Sequence, residues 1–141
     1  MNAIWGVLLA LAVTLGAIAV LVFGLGDSTI FVSPPEAVVE GFMRQLTAKR
    51  YERALPFLSE GLAARTGPDR LRALTEQLRS RTGEITDVRG EPGLIQGDRA
   101  EATVALKTKS AGESRLKFPL SRQEGTWSID GLEALEADRI R

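Results

Sequence analysis

The chain has 141 residues, 18 Lys plus Arg balanced by 18 Asp plus Glu, and neither histidine nor cysteine. Those absences exclude a disulfide scaffold, thiol chemistry, the usual Cys/His zinc site, a Ser-His-Asp triad and a histidine general base. A net charge of zero argues against a general nucleic-acid binder.

The charge is unevenly placed. Residues 1–26 hold no Asp, Glu, Lys or Arg, so an apolar leader precedes a charge-rich remainder. Ala3 to Leu25 is a 23-residue apolar run with Trp5 near one end and Phe23 near the other. Roughly 20 apolar residues cross a bilayer core as a helix, and aromatic residues suit its interfaces. A single transmembrane anchor over 1–26 is therefore expected. A cleaved signal peptide is the competing reading, since Ala17-Ile18-Ala19 has small-x-small spacing. It lacks a basic leading region, and its apolar run exceeds the usual ~7–15 residues. Gly6, Ala10 and Thr14 share one face at spacing four, a pattern that helix pairing uses but that membrane helices rich in small residues also show.

Orientation is weakly encoded. No Lys or Arg precedes the run and the first after it is Arg44, so the positive-inside rule has little to count. Asp27 and Glu36 flank its exit, and a cysteine-free chain is compatible with an oxidising exterior. The globular part is expected outside the cytoplasm.

Residues 27–33 read as a linker. Pro34-Pro35 then opens a helix over about 35–48, with Ser33 as the expected N-cap. Val38, Val39, Phe42 and Leu46 repeat at helical spacing on its buried side. Tyr51 to Ser59 reads as a second, short helix with Tyr51, Ala54, Leu55 and Leu58 on one face. Gly61 and Gly67 bracket an expected loop. Thr66 and Pro68 then start a third helix, with Leu71, Leu74 and Leu78 as its stripe and Gly83 as its stop.

After Gly83 the period drops to two. Ala102, Val104 and Leu106 alternate with polar neighbours, as do Leu116, Phe118 and Leu120, then Trp127 and Ile129. A less regular strand covers about Glu84 to Arg89, with a bend at Gly90, Pro92 and Gly93 before Leu94-Ile95. Ser110-Ala111-Gly112 reads as a hairpin loop pairing Lys109 with Glu113, Leu106 with Leu116 and Val104 with Phe118. Pro119 implies an edge or a bulge. The expected fold is α+β: three helices packed on a curved four-stranded antiparallel meander.

That order of elements resembles the nuclear transport factor 2-like superfamily, and in particular its bacterial membrane-anchored members of uncharacterised function. The similar stretches are Glu36 to Ala48, Lys49-Arg50-Tyr51-Glu52-Arg53-Ala54, Gly97 to Val104, and Glu124-Gly125-Thr126-Trp127-Ser128-Ile129. The resemblance spans 34–132; Leu132, Leu135 and Ile140 mark an amphipathic tail whose body is residues 133–141. It implies a cone of helices over a curled sheet, whose apolar interior serves as an active-site or ligand pocket in some members. A fold of this kind does not itself fix a function.

No catalytic motif of that superfamily maps onto this chain. Tyr51 is expected to pack. Glu101 and Asp130 fall on the outward face, where solvated carboxylates are normal. Gly90-Glu91-Pro92-Gly93 lacks the lysine and following helix of a phosphate loop, and no cofactor or metal is expected. Two site candidates remain. Lys107, Lys109, Arg115 and Lys117 form a basic outer hairpin face that can meet an anionic envelope component or an acidic protein. Phe42, Leu46, Phe118 and Trp127 are candidates to line or to fill the cone.

Two functional readings follow. The first is a non-enzymatic, membrane-anchored interaction module of the cell envelope, with a homodimer through the sheet compatible with it. The alternative is an apolar-ligand binder or an enzyme using the cone pocket.

Overall fold

The computed structural model describes residues 33–110 and 112–136. The expected anchor and nearly all of the linker lie outside the described residues, as does Ile140. Among the described residues no helix is long and apolar enough to cross a membrane.

Helix α1 spans Pro35–Thr47 and buries Val38, Val39, Phe42, Met43 and Leu46. Its start is not the side-chain cap expected of Ser33. Pro34 occupies the N-cap and its carbonyl accepts from Ala37 N and Val38 N, so the proline backbone does what the serine hydroxyl was expected to do. Helix α2 covers only Tyr51–Ala54, and the chain tightens into a 3-10 turn over Leu55–Phe57. Pro56 explains the shortening, because an interior proline lacks the amide that an α-turn needs. Leu58 then leaves in extended conformation and bridges Ile129.

Helix α3, Glu60–Thr82, starts earlier than expected. The segment between Gly61 and Gly67 is helical rather than a loop. The break is confined to Gly67, at φ 70° and ψ 166°, followed by Pro68. A positive φ costs a residue with a Cβ ~1–2 kcal/mol and glycine little. Glycine thus turns the helix, and proline restarts it at a position that tolerates a missing N–H. Leu71, Leu74 and Leu78 are buried as expected, and Gly83 ends the helix.

The strands are β1 (Ile85–Glu91), β2 (Ile95–Gln96), β3 (Arg99–Thr108), β4 (Gly112–Gln123) and β5 (Thr126–Ile129). They form one curled antiparallel sheet ordered β1-β3-β4-β5, with β2 pairing β3 beyond the end of β1. The sheet thus has five strands rather than four, because the chain past Pro92-Gly93 returns to the same edge of β3. Its concave face carries Ala102, Val104, Leu106, Leu116, Phe118, Leu120, Trp127 and Ile129 against the helices.

The β3–β4 register differs from expectation. Lys107 opposes Glu113, Val104 opposes Leu116 and Ala102 opposes Phe118. The pairing has slid by two residues, so Thr108 opposes Gly112 and Gly112 begins β4. Parity is preserved, and every inward residue stays inward. The slide frees Lys109 for β1: its N–H donates to the Glu84 carbonyl at 3.1 Å, and its Nζ lies 3.0 Å from Glu84 Oε2.

Pro119 sits at a local edge, where the β4–β5 ladder has ended, and not at a bulge. Its carbonyl accepts from Asp130 N, just past the last residue of β5. A strand residue's N–H and C=O point the same way, so the missing donor faces the end of the β4–β5 ladder and costs β3 nothing. A last short helix, α4 (Glu133–Glu136), buries Leu135 on α3. Arg81 Nη2 donates to the Leu135 carbonyl and Arg70 pairs Glu136 at 2.9 Å. The first part of the expected tail is therefore a docked helix.

Candidate functional site

The cone interior comes first, since that is where a ligand would sit. Phe42 from α1 and Phe118 from β4 meet edge to face, centroids 6.0 Å apart at 79°. Leu46 is fully buried one turn along from Phe42, and Trp127 is buried on β5. The four candidate cone residues are core, and none lines a surface hollow described below.

The buried hydroxyls of α3 do not point into a ligand space either. Thr75 and Thr82 donate to the carbonyls of Leu71 and Leu78 on their own helix, at 2.7 and 2.9 Å. Tyr51 is buried, as packing requires, with the Arg72 guanidinium 5.5 Å over its ring.

The outer hairpin face is built by alternation. Lys107, Arg115 and Lys117 point outward from β3 and β4, while Lys109 lies in the loop beside β1. Rows of residues cross the sheet: Asp87, Lys107 and Glu113; Arg89, Ala105 and Arg115; Glu91, Thr103 and Lys117. The first row reads acid, base, acid; the second sets Arg89 and Arg115 either side of Ala105, and the third sets Glu91 and Lys117 either side of Thr103. Arg115 lies 3.3 Å from Glu91 and 3.2 Å from Glu113. Lys117 lies 3.8 Å from Glu101.

Two groups are shifted by this arrangement. The ammonium of Lys109 beside it holds the Glu84 carboxyl below the usual carboxylate range, through a hydrogen bond first and charge second. The hydrogen bond and charge of Glu91, aided by Glu113, raise Arg115 further. The face therefore carries both signs. Sequence alternation identifies the face, but Glu91 comes from β1 and Glu84 from just ahead of it, so hairpin residues alone do not reveal the pairing.

Two open hollows lie elsewhere. One, about 910 Å³, runs between Leu55–Ala63 and the β4–β5 turn, with Glu52, Glu60 and Glu124 on its walls. The other, about 550 Å³, is bordered by Leu94, Gln96, Arg99, Glu101, Pro119 and Asp130. Among the described residues no group of three acidic side chains is placed to hold a metal ion.

No family model and no curated protein matches the sequence. Solved structures do match. One is the crystal structure of a "Putative NTF2-like transpeptidase" from Campylobacter jejuni, at 16% identity and TM-score 0.57, covering 71% of this chain and all of that one. Another is the solution structure of a SEC-C motif containing protein from Rhodopseudomonas palustris, at 13% identity and TM-score 0.56, covering 71% and 77%. The curled sheet under three helices is the nuclear transport factor 2-like cone fold. Identities this low speak for the fold alone. That fold has both enzymatic and non-enzymatic members.

Proposed function

We propose that this chain is an interaction module of the cell envelope, tethered by its 3–25 apolar run, with the globular domain outside the cytoplasm and no chemistry of its own. The observation that carries the reading is that Phe42, Leu46, Phe118 and Trp127 are buried in the core, Phe42 against Phe118, and line neither of the two open hollows. A chain without histidine or cysteine lacks the commonest nucleophile and base pairs for acyl transfer, so the transpeptidase name of the Campylobacter protein is not carried over. Tethering raises the effective concentration of the domain near membrane partners without any new contact.

The charge rows bear on the partner. A polyanion on Lys109, Arg115 or Lys117 must compete with Glu84, Glu91, Glu113 and Glu101, which already sit beside those cations. A protein face with complementary rows meets both signs at once, which suits register and specificity more than raw affinity.

The test takes membranes from cells making the full chain. Under alkaline carbonate the chain is expected to stay in the pellet, and release would remove the tether. In a Trp5→Phe background, a medium-chain fatty acid is expected to leave Trp127 fluorescence unchanged. A saturable response would restore the ligand-carrier reading.

A further inference from the structure

Leu94 and Ile95 are the large apolar side chains that remain exposed among the described residues, at 68% and 56%. They lie in an unbroken exposed run, residues 92–99, that includes the β2–β3 turn. Single exposed aliphatic residues are ordinary; a leucine and an isoleucine side by side at the start of the edge strand β2 are a candidate contact. What they would contact follows from where the chain enters the domain.

Helix α1 runs antiparallel to β1. Arg44 Nη2 donates to the Val88 carbonyl at 3.4 Å, and Glu40 Oε1 accepts from Gly90 N at 3.3 Å. Glu36, a turn earlier, has its carbonyl so close to Gly90 that a Cβ there would overlap it. Moving toward the start of α1 thus means moving along β1 toward Pro92. Beyond that point the chain stays on β3: the Leu94 carbonyl accepts from Glu101 N at 2.9 Å, and Ile95 opposes Ala100. Leu94 lies about 10 Å past the Gly90 level at the strand rise of ~3.3 Å per residue. Ser33 and the Leu94–Ile95 segment therefore share one end of the domain.

Ser33 is also where the apolar run is attached. Residues 26–32 reach at most about 25 Å when fully extended, so this end is held within that distance of any bilayer the run enters.

Charge at this end is mixed, with Glu36 in the first turn of α1. Glu91, Asp98 and Glu101 each have a basic partner, in Arg115, Arg122 and Lys117. Arg99, exposed beside Leu94, makes no ion pair among the described residues, and Asp130 borders the same hollow. Exposed aliphatics beside a cation suit the boundary between acyl chains and lipid phosphates.

We propose that Leu94 and Ile95, at the start of β2, are a second membrane contact, this edge of the sheet seated in the interface of the bilayer that holds the anchor, with Arg99 at the phosphates. The inference rests on the anchored reading above.

The chain has no cysteine, so single labels are clean. Full-length Leu94→Cys and Ser110→Cys variants, both at exposed positions, carry a solvatochromic maleimide dye in phosphatidylcholine–phosphatidylglycerol vesicles containing a shallow nitroxide lipid. The expected result is a blue shift and nitroxide quenching at position 94, with neither at position 110, which lies about 25 Å along β3. Equal quenching at both positions, or none at position 94, overturns the contact. Alkaline extraction of the same vesicles separates the two claims. Retention with a wet position 94 removes the contact and keeps the anchor, whereas release removes both.

Discussion

The Phe118 ring meets the Phe42 ring edge to face across the interface of sheet and helix, 6.0 Å apart. This pair occupies the middle of the cone, so removing one member tests whether the interior is solid. Both rings are fully buried. Phe118→Ala is expected to cost ~3–5 kcal/mol and to leave a cavity. Thermal unfolding of the full chain in mild detergent measures the cost. The same variant is expected to gain saturable binding of a benzene-sized ligand that the natural chain does not bind, as dry engineered cavities do.

Gly90 is a close-approach glycine. A methyl group there meets the Glu36 carbonyl and the Glu40 Cβ, and the first of these belongs to backbone that cannot rotate away. Gly90→Ala is expected to destabilise by ~1–3 kcal/mol, the usual cost of overpacking. Gly61→Ala, where nothing lies within 4 Å of the added carbon, is the control and is expected to be neutral or slightly stabilising.

The register of the hairpin is open to direct test. Lys107 and Glu113 are opposed and exposed, so Lys107→Cys with Glu113→Cys should form a disulfide on mild oxidation. Lys109→Cys with Glu113→Cys, the pair read from sequence, should not, since a bridge requires Cα atoms within ~7 Å. Non-reducing electrophoresis reads both.

The Glu84–Lys109 pair predicts a small pH effect of known sign. Glu84 titrates lower in the folded chain than in the unfolded one. Its contribution is therefore present above the unfolded carboxylate pKa and is lost as pH falls through the lower folded value. Both partners are exposed, so the energy is small. Lys109→Met is expected to return Glu84 to the ordinary range, read by its side-chain NMR titration.

How far the sequence was legible can be judged at particular residues. The stripe of Val38, Val39, Phe42 and Leu46 and the alternation around Val104 and Phe118 identify the buried faces correctly, because burial follows period. Burial also excludes a one-residue slip of the hairpin. It cannot exclude the two-residue slide that occurs, since parity is unchanged; the Lys109–Glu84 contact that accompanies the slide joins segments that no local pattern connects. The loop expected between Gly61 and Gly67 is helical because a single residue at positive φ suffices to turn the chain. The cone candidates Phe42, Leu46, Phe118 and Trp127 were legible as inward residues, and all four are buried. Whether such residues fill or line a cone is a matter of packing depth, which periodicity does not carry. The Leu94–Ile95 segment reads in sequence as one more strand fragment, and its exposure depends on where β3 leaves it without a cover.

The most direct test of the account is the side of the membrane on which the domain lies. A full-length Ser110→Cys variant in intact cells is treated with a membrane-impermeant maleimide, beside a cytoplasmic cysteine control. The account predicts labelling at position 110 in intact cells while the control stays unlabelled. Labelling at position 110 only after lysis would contradict it and move the domain, and the search for its partner, into the cytoplasm.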